Sequence, residues 1–133
     1  MRHHLVGKKL NLNTHQRKAL FRGLLGSLAI HGRLVTTEQR AKVIQRLAEK
    51  LVTKERIGTL SSQRLVAAFL QNKLAVEKMV KVWGPLFKKR GGGFTRLIRL
   101  GQRPGDGAMR ARLEFVTPAP AKEKDEDQSY PKK

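Results

Sequence analysis

Side chains suited to acid–base work or metal binding are sparse in this chain. The four histidines (His3, His4, His15 and His31) show no metal-ligand spacing, and with no cysteine present they have no thiolate partners. Six carboxylates occupy the first 118 residues: Glu38, Glu49, Glu55, Glu77, Asp106 and Glu114. They are scattered over different segments, so no pair stands out for general acid–base or two-metal chemistry. There is no GxxxxGK loop. Arg90–Phe94 reads RGGGF, a lone G-x-G ahead of a strand pattern, so a helix N-terminus cradling phosphate is excluded there. Catalysis is the least favoured class. No cofactor, metal or small-molecule substrate is expected.

Positive charge is what the chain has in quantity. Lys and Arg number 29 against 10 acids, a formal net charge of +19. The first acid is Glu38, and Lys88–Arg112 holds eight basic residues and one acid around RGGGFTRLIRLGQRPGDG. Residues 119–133 carry four basic and four acidic groups, so the whole excess belongs to the body. Such self-repulsion calls for counter-charge from the surroundings. In a chain without an apolar run near the roughly 20 residues of a membrane span, the expected polyanion is nucleic acid. The absence of cysteine fits a reducing cytosol. For the glycine triplet two readings stay open and are compatible: a tight connection needing positive φ, and close approach of backbone to phosphate beside Lys88, Lys89 and Arg90.

The elements that must position these charges follow from periodicity. Residues 1–13 are basic and aperiodic and read as an extended arm. Thr14 is the expected N-cap of a helix over about 15–31, with Leu20, Phe21, Leu24, Leu25 and Leu28 at helical spacing and Gly32 as the stop. Arg17, Lys18 and Arg22 sit in its first turns, where the helix dipole disfavours cations and a phosphate would relieve the penalty. Arg33-Leu34-Val35 is a short strand. Thr36 with Gln39 forms a capping box for a helix of about 37–56, with the stripe Ala41, Ile44, Leu47, Ala48 and Leu51. A helix of about 62–71 follows a Ser61/Ser62 cap, with Leu65, Val66, Phe69 and Leu70 apolar. Asn72 caps a third piece whose Ala75, Met79, Val82 and Trp83 share a face, and Gly84-Pro85 ends or kinks it. Phe94, Ile98 and Leu100 alternate with Thr95 and Arg99; Ala111, Leu113 and Phe115 alternate with Arg112 and Glu114. Both are half-buried strands, joined antiparallel through GQRPGDG. The expectation is a small α+β two-layer domain over 14–116, order α-β-α3-β2, with helices on one face of a three-stranded sheet. Residues 117–133 have no apolar period and are expected to be a disordered charged tail.

Taken in order, MRH at the start, GKKLN at Gly7–Asn11, HGRLVTT at His31–Thr37 followed by Ala41-Lys42, and RGGGFTRLIRLG at Arg90–Gly101 resemble one family. It is the bacterial-type large-subunit ribosomal protein seventeen family, and the likeness runs from Met1 to about Val116. The resemblance implies this fold and a non-catalytic constituent of the large ribosomal subunit. It implies binding to large-subunit ribosomal RNA near the peptide exit region, beside neighbouring large-subunit ribosomal proteins, in the cytoplasm; an organellar origin stays open. Carried over by position, Arg2, His3, Gly7, Lys9, Asn11, His15, Arg17 and Arg22 would form an RNA-facing arm and first helix. Thr36, Thr37 and Lys42 would be a second region, and Arg90, Thr95 and Arg96 a third. Charge adds Lys8, Lys18, Arg33, Lys88, Lys89 and Arg99. Since the family also begins M-R-H, Met1 is expected to be the true start. Two departures stand out: Leu12 replaces a usual arginine after the K-L-N run, and Gly91 replaces a usual proline before the paired glycines.

The rival class is a free-standing nucleic-acid-binding regulator or RNA chaperone. Basic residues spread over an arm, a helix start and a hairpin suit wrapping into folded RNA better than one groove-reading helix. A processing enzyme is the weakest reading, because no carboxylate constellation supports it.

Overall fold

A computed structural model describes residues 8–118. Arg2, His3 and Gly7, and the tail from 119 onward, lie outside the described residues. Helix α1 spans Thr14–His31 and strand β1 Arg33–Thr37; helices α2 (Glu38–Glu55) and α3 (Leu60–Leu70) follow. Helix α4 (Lys73–Lys78) passes through a π-helical turn, Met79–Trp83, into a last short turn, α5 (Gly84–Leu86). Strands β2 (Thr95–Gln102) and β3 (Met109–Phe115) close the chain, and the antiparallel sheet has the order β1-β3-β2. The expected α+β order is met, with α4, the π turn and α5 acting as the third helix after β1.

Local chemistry moves several expected boundaries. Asn13, not Thr14, caps α1: its Oδ1 accepts from Gln16 N at 2.8 Å, and Gln16 Oε1 accepts from Asn13 N at 3.3 Å. Thr36 does not cap α2. It stays in β1, paired with Ala111, because the ladder to β3 claims its backbone; Thr37 takes the N-cap position without a side-chain cap bond. Gln39, freed from that box, accepts from Lys8 Nζ instead. Helix α3 begins earlier than expected, at Leu60, because Thr59 rather than Ser61 or Ser62 accepts the cap bond from Ser62 N. Asn72 caps α4 as expected. At Pro85 the helix does not stop: Gly84 N donates to Met79 O in π register, so the missing proline amide falls at the start of a new turn.

The core lies between the helices and one sheet face. Leu25, Leu28 and Ala29 of α1, Ile44, Ala48, Leu51 and Val52 of α2, and Leu34 and Leu113 of the sheet are buried. An aromatic cluster closes one end. Trp83 lies 4.0 Å from Phe115 between ring centroids, and Phe87 lies 5.2 Å from Phe94 and 5.7 Å from Phe115. Trp83 Nε1 donates to Ala29 O at 2.8 Å, satisfying the one polar atom of a buried indole. Gly32 ends α1 with φ +73°, and a Cβ there would sit 3.2 Å from the Trp83 ring.

The facing of β2 departs from the alternation expected. Phe94 is buried but precedes the strand; Thr95 and Leu97, not Ile98 and Leu100, turn toward the helices. The cause is Glu49 on α2. Its carboxylate accepts from Phe94 N (3.1 Å), Thr95 N (2.8 Å) and Thr95 Oγ1 (2.7 Å), drawing that face inward. Gly93, at φ +64°, makes the turn that buries Phe94, as one reading of the triplet required. Further along, Leu100 falls in a bulge between Arg99 and Gly101 and is 39% exposed.

Glu55 is the unusual acid. It is 2% exposed, its Oε2 has no hydrogen-bond partner, and burial raises its pKa from 4.5. A raised folded value means that the folded state holds the proton more tightly. This group's contribution is therefore best below the ordinary value and is lost as pH rises through the folded one. Glu55→Gln is expected to raise the urea midpoint at pH 7 and to flatten that decline; an unchanged difference between variant and wild type from pH 4 to 8 would show a solvated carboxylate. Gly32→Ala should cost about 1–2 kcal/mol from the left-handed backbone alone, and more through the Trp83 contact. Gly91→Ala, with open space around it, is the matched substitution and should stay within about 0.5 kcal/mol. Equal urea midpoints for the two variants would contradict this account.

Candidate nucleic-acid interface

Segments distant in sequence meet at the start of α2. The described part of the arm is not extended: Leu12 N donates to Lys9 O at 3.2 Å, and Leu10 and Asn11 adopt left-handed φ of 56° and 54°. Arg17 fixes this turn by donating through Nη1 to Leu12 O at 2.9 Å and to Lys9 O at 3.5 Å. Lys8 reaches Gln39 in the first turn of α2. Glu38 beside it pairs with Lys42 at 2.7 Å and with Arg99 from β2 at 2.9 Å. Lys42 first, and then Arg99, holds the Glu38 carboxyl below its ordinary range. One acid thus organises two cations from separate elements, with the Lys8–Gln39 contact adjoining them.

A second basic group lies at the opposite end of the sheet. Lys88, Lys89 and Arg90 are exposed in the turn before the glycines. Arg90 Nε donates to Gly92 O at 3.0 Å and Arg56 Nη1 donates to Arg90 O at 2.5 Å, so the residue capping the end of α2 anchors this loop. Arg33 pairs in register with Glu114, which pairs with Arg96 on the far strand. Arg99, a candidate on charge, stands with Glu38 and Lys42, away from this group.

The remaining candidates divide by exposure. Lys9, Asn11, His15 and Lys18 are exposed along the arm and the start of α1. Arg22 is half-buried and donates through Nε to Phe69 O at 3.1 Å, tying α1 to α3. Thr95 is buried on Glu49, and its hydroxyl is consumed there. Thr36 and Thr37 are half-buried at the β1–α2 junction.

Reading the sequence alone left out Arg103, Arg110 and Arg112. Arg103 and Asp106 clamp the β2–β3 hairpin, and the Arg103 guanidinium, with help from the Ala108 amide, lowers the Asp106 pKa to about 2. Arg110 and Arg112 alternate with the buried Ala111 and Leu113 on β3. That alternation was the available signal, since it places both on the face away from the core.

The acids complete the picture. Glu38, Glu49, Glu77, Asp106 and Glu114 each take cations or backbone amides, and Glu55 is buried. Among the described residues no cluster of His, Asp or Glu is arranged to hold a metal, and no helix is long and apolar enough to cross a membrane.

Comparison with known proteins gives a consistent result. The family model described as Ribosomal protein L17 matches residues 20–116. The large ribosomal subunit protein bL17 of Dictyoglomus turgidum is 47% identical over 116 residues, covering 87% of this chain and 100% of that protein. The bL17 of Thermomicrobium roseum is also 47% identical, over 87% of this chain and 99% of its own length. That of Trichlorobacter lovleyi is 42% identical over 90% and 96%. With the family model over residues 20–116 and a relative 47% identical over 87% of this chain, the chain belongs to the ribosomal protein L17 family, a structural and non-catalytic one.

Proposed function

We propose that the chain is a structural constituent of the large ribosomal subunit, binding and stabilising folded large-subunit ribosomal RNA near the peptide exit region. It meets neighbouring large-subunit proteins there and works in the cytoplasm, within the ribosome. The relatives' name, large ribosomal subunit protein, supports the assembly; the likeness of the motifs to the family supports the exit region.

The observation that carries the RNA reading is the meeting of Lys8, Lys42 and Arg99, from the arm, a helix start and a strand, around the first turn of α2. A groove-reading regulator concentrates its base-contacting side chains on one helix. Here cations from several elements converge on a surface whose contacts to RNA would be to phosphate and sugar, which position a protein without reading sequence. That favours a folded-RNA clamp over a free-standing regulator or chaperone.

Sucrose-gradient sedimentation of a lysate should find the chain with large subunits, and exclusive migration in the light fractions would refute the assembly. Binding of the purified chain to large-subunit ribosomal RNA should weaken steeply with salt. With about 6–10 phosphates engaged, affinity falls roughly 10³–10⁵-fold between about 50 and 200 mM salt. A Lys8→Ala/Lys9→Ala/Lys42→Ala variant should bind more weakly with unchanged helical circular dichroism. A flat salt response in filter binding would remove the electrostatic basis of the reading.

A further inference from the structure

The sheet has one face that no helix covers among the described residues. Helices pack on the side carrying Leu34, Leu113 and Leu97. The opposite side presents three cross-strand rows: Arg33–Glu114–Arg96, Val35–Arg112–Ile98, and Thr37–Arg110–Gly101. Four arginines therefore share a face with a single carboxylate.

Glu114 sits among them and does specific work. Its Oε1 lies 2.5 Å from Arg96 Nε, and its Oε2 lies 3.0 Å from Arg112 Nε. Arg96 Nε donates to that carboxylate, and Arg112 Nε stands at ion-pair distance from it without a hydrogen bond; in both, the Nε edge faces Glu114 and the terminal nitrogens remain for a ligand. Arg110 Nε is buried without a hydrogen-bond partner, and Arg33 is exposed with no acidic partner among the described residues.

We infer that this open face is a second RNA-contact surface, gripping the phosphate backbone of folded ribosomal RNA through Arg33, Arg96, Arg110 and Arg112. The inference rests on the RNA-binding reading above and adds a surface built from strands, separate from the arm and the α2 start. Charge decides the occupant. Four arginines and one acid leave an excess of three positive charges on this face, with Arg110 and Arg112 two residues apart on the same side of β3, so an external anion completes it. Guanidinium forks suit phosphate through two parallel hydrogen bonds. Strand spacing of about 4.7–4.9 Å, and about 6.6–6.8 Å between alternate residues, sets these forks on a grid that can follow a backbone. The face carries no aromatic ring, so base stacking of the kind sheet-based RNA readers use is not available. Val35, 57% exposed, and Ile98 lie between the charged rows and can pack on sugar.

The test compares three full-length chains on purified large-subunit ribosomal RNA by filter binding across a salt series: wild type, Arg110→Gln/Arg112→Gln, and Lys8→Ala/Lys9→Ala. The sheet variant should show a salt slope shallower by about 2, at about 0.9 for each phosphate no longer neutralised, with unchanged circular dichroism. If the arm variant loses slope and the sheet variant does not, the sheet inference fails while the RNA reading stands. If neither loses slope while the wild type stays salt-dependent, the sheet inference fails; a flat wild-type slope overturns the RNA reading itself. A sheet variant that binds RNA normally but is not incorporated into subunits would make the face a protein contact, overturning the inference. Should the sheet variant misfold, phenylglyoxal labelling of the wild-type chain decides. The four arginines should react in the free chain and be protected by RNA. Equal reactivity with RNA, or protection in the free chain by its own terminus, would overturn the inference.

Discussion

The fold depends on one buried indole. Trp83 donates to Ala29 O near the end of α1, lies against Phe115 at the end of β3, and would crowd a Cβ at Gly32 at 3.2 Å. Those contacts join the last turn of the first helix, the entry to β1 and the end of the central strand. A fully buried aromatic contributes about 1.5–3 kcal/mol by area alone, and aromatic neighbours add about 0.5–1.5 kcal/mol per pair. The polar bond matters for placement: an unpaired indole N–H in this core would carry a desolvation cost. The π turn over Met79–Trp83 belongs to the same arrangement, because it carries the helix past Pro85 and leaves Trp83 and Phe87 both inside.

A second constraint is the disposal of a large charge excess. With few acids available, three of them bridge elements. Glu38 joins the start of α2 to β2, Glu49 fixes the first residues of β2 on α2, and Glu114 holds arginines on β2 and β3. Exposed pairs of this kind are worth little in stability, about 0–1 kcal/mol each. Their effect is geometric, since they set where guanidinium and ammonium groups stand before a ligand arrives. Glu49 differs, because its partners are backbone amides and a buried hydroxyl. It governs the direction in which the glycine turn and Lys88–Arg90 leave the core.

The consequence for function is a protein whose cations surround a small core on several sides. Lys8, Lys42 and Arg99 lie at one end of the sheet, Lys88–Arg90 at the other, and the arginines of the uncovered sheet face between them. A component embedded in folded RNA meets phosphate from more than one direction. This distribution suits that setting better than a single basic stripe would.

Local sequence alone determined the element order, the apolar stripes of α1 and α2, the stop at Gly32, the Asn72 cap and the inward residues of β3, because each is set by periodicity or by one residue's backbone preference. The charge excess and the want of a catalytic constellation were equally legible, being properties of composition and spacing. Tertiary structure decided the rest. Thr36 stayed in a strand because β3 pairs with it; β2 turned its other face inward because Glu49, 46 residues away, claims Thr95. Arg99 pairs with Glu38, 61 residues away. Arg110 and Arg112 became parts of a surface only when β1 and β2 were laid on either side of β3. Each of these outcomes rests on a partner distant in the chain, and local periodicity carries no information about such a partner.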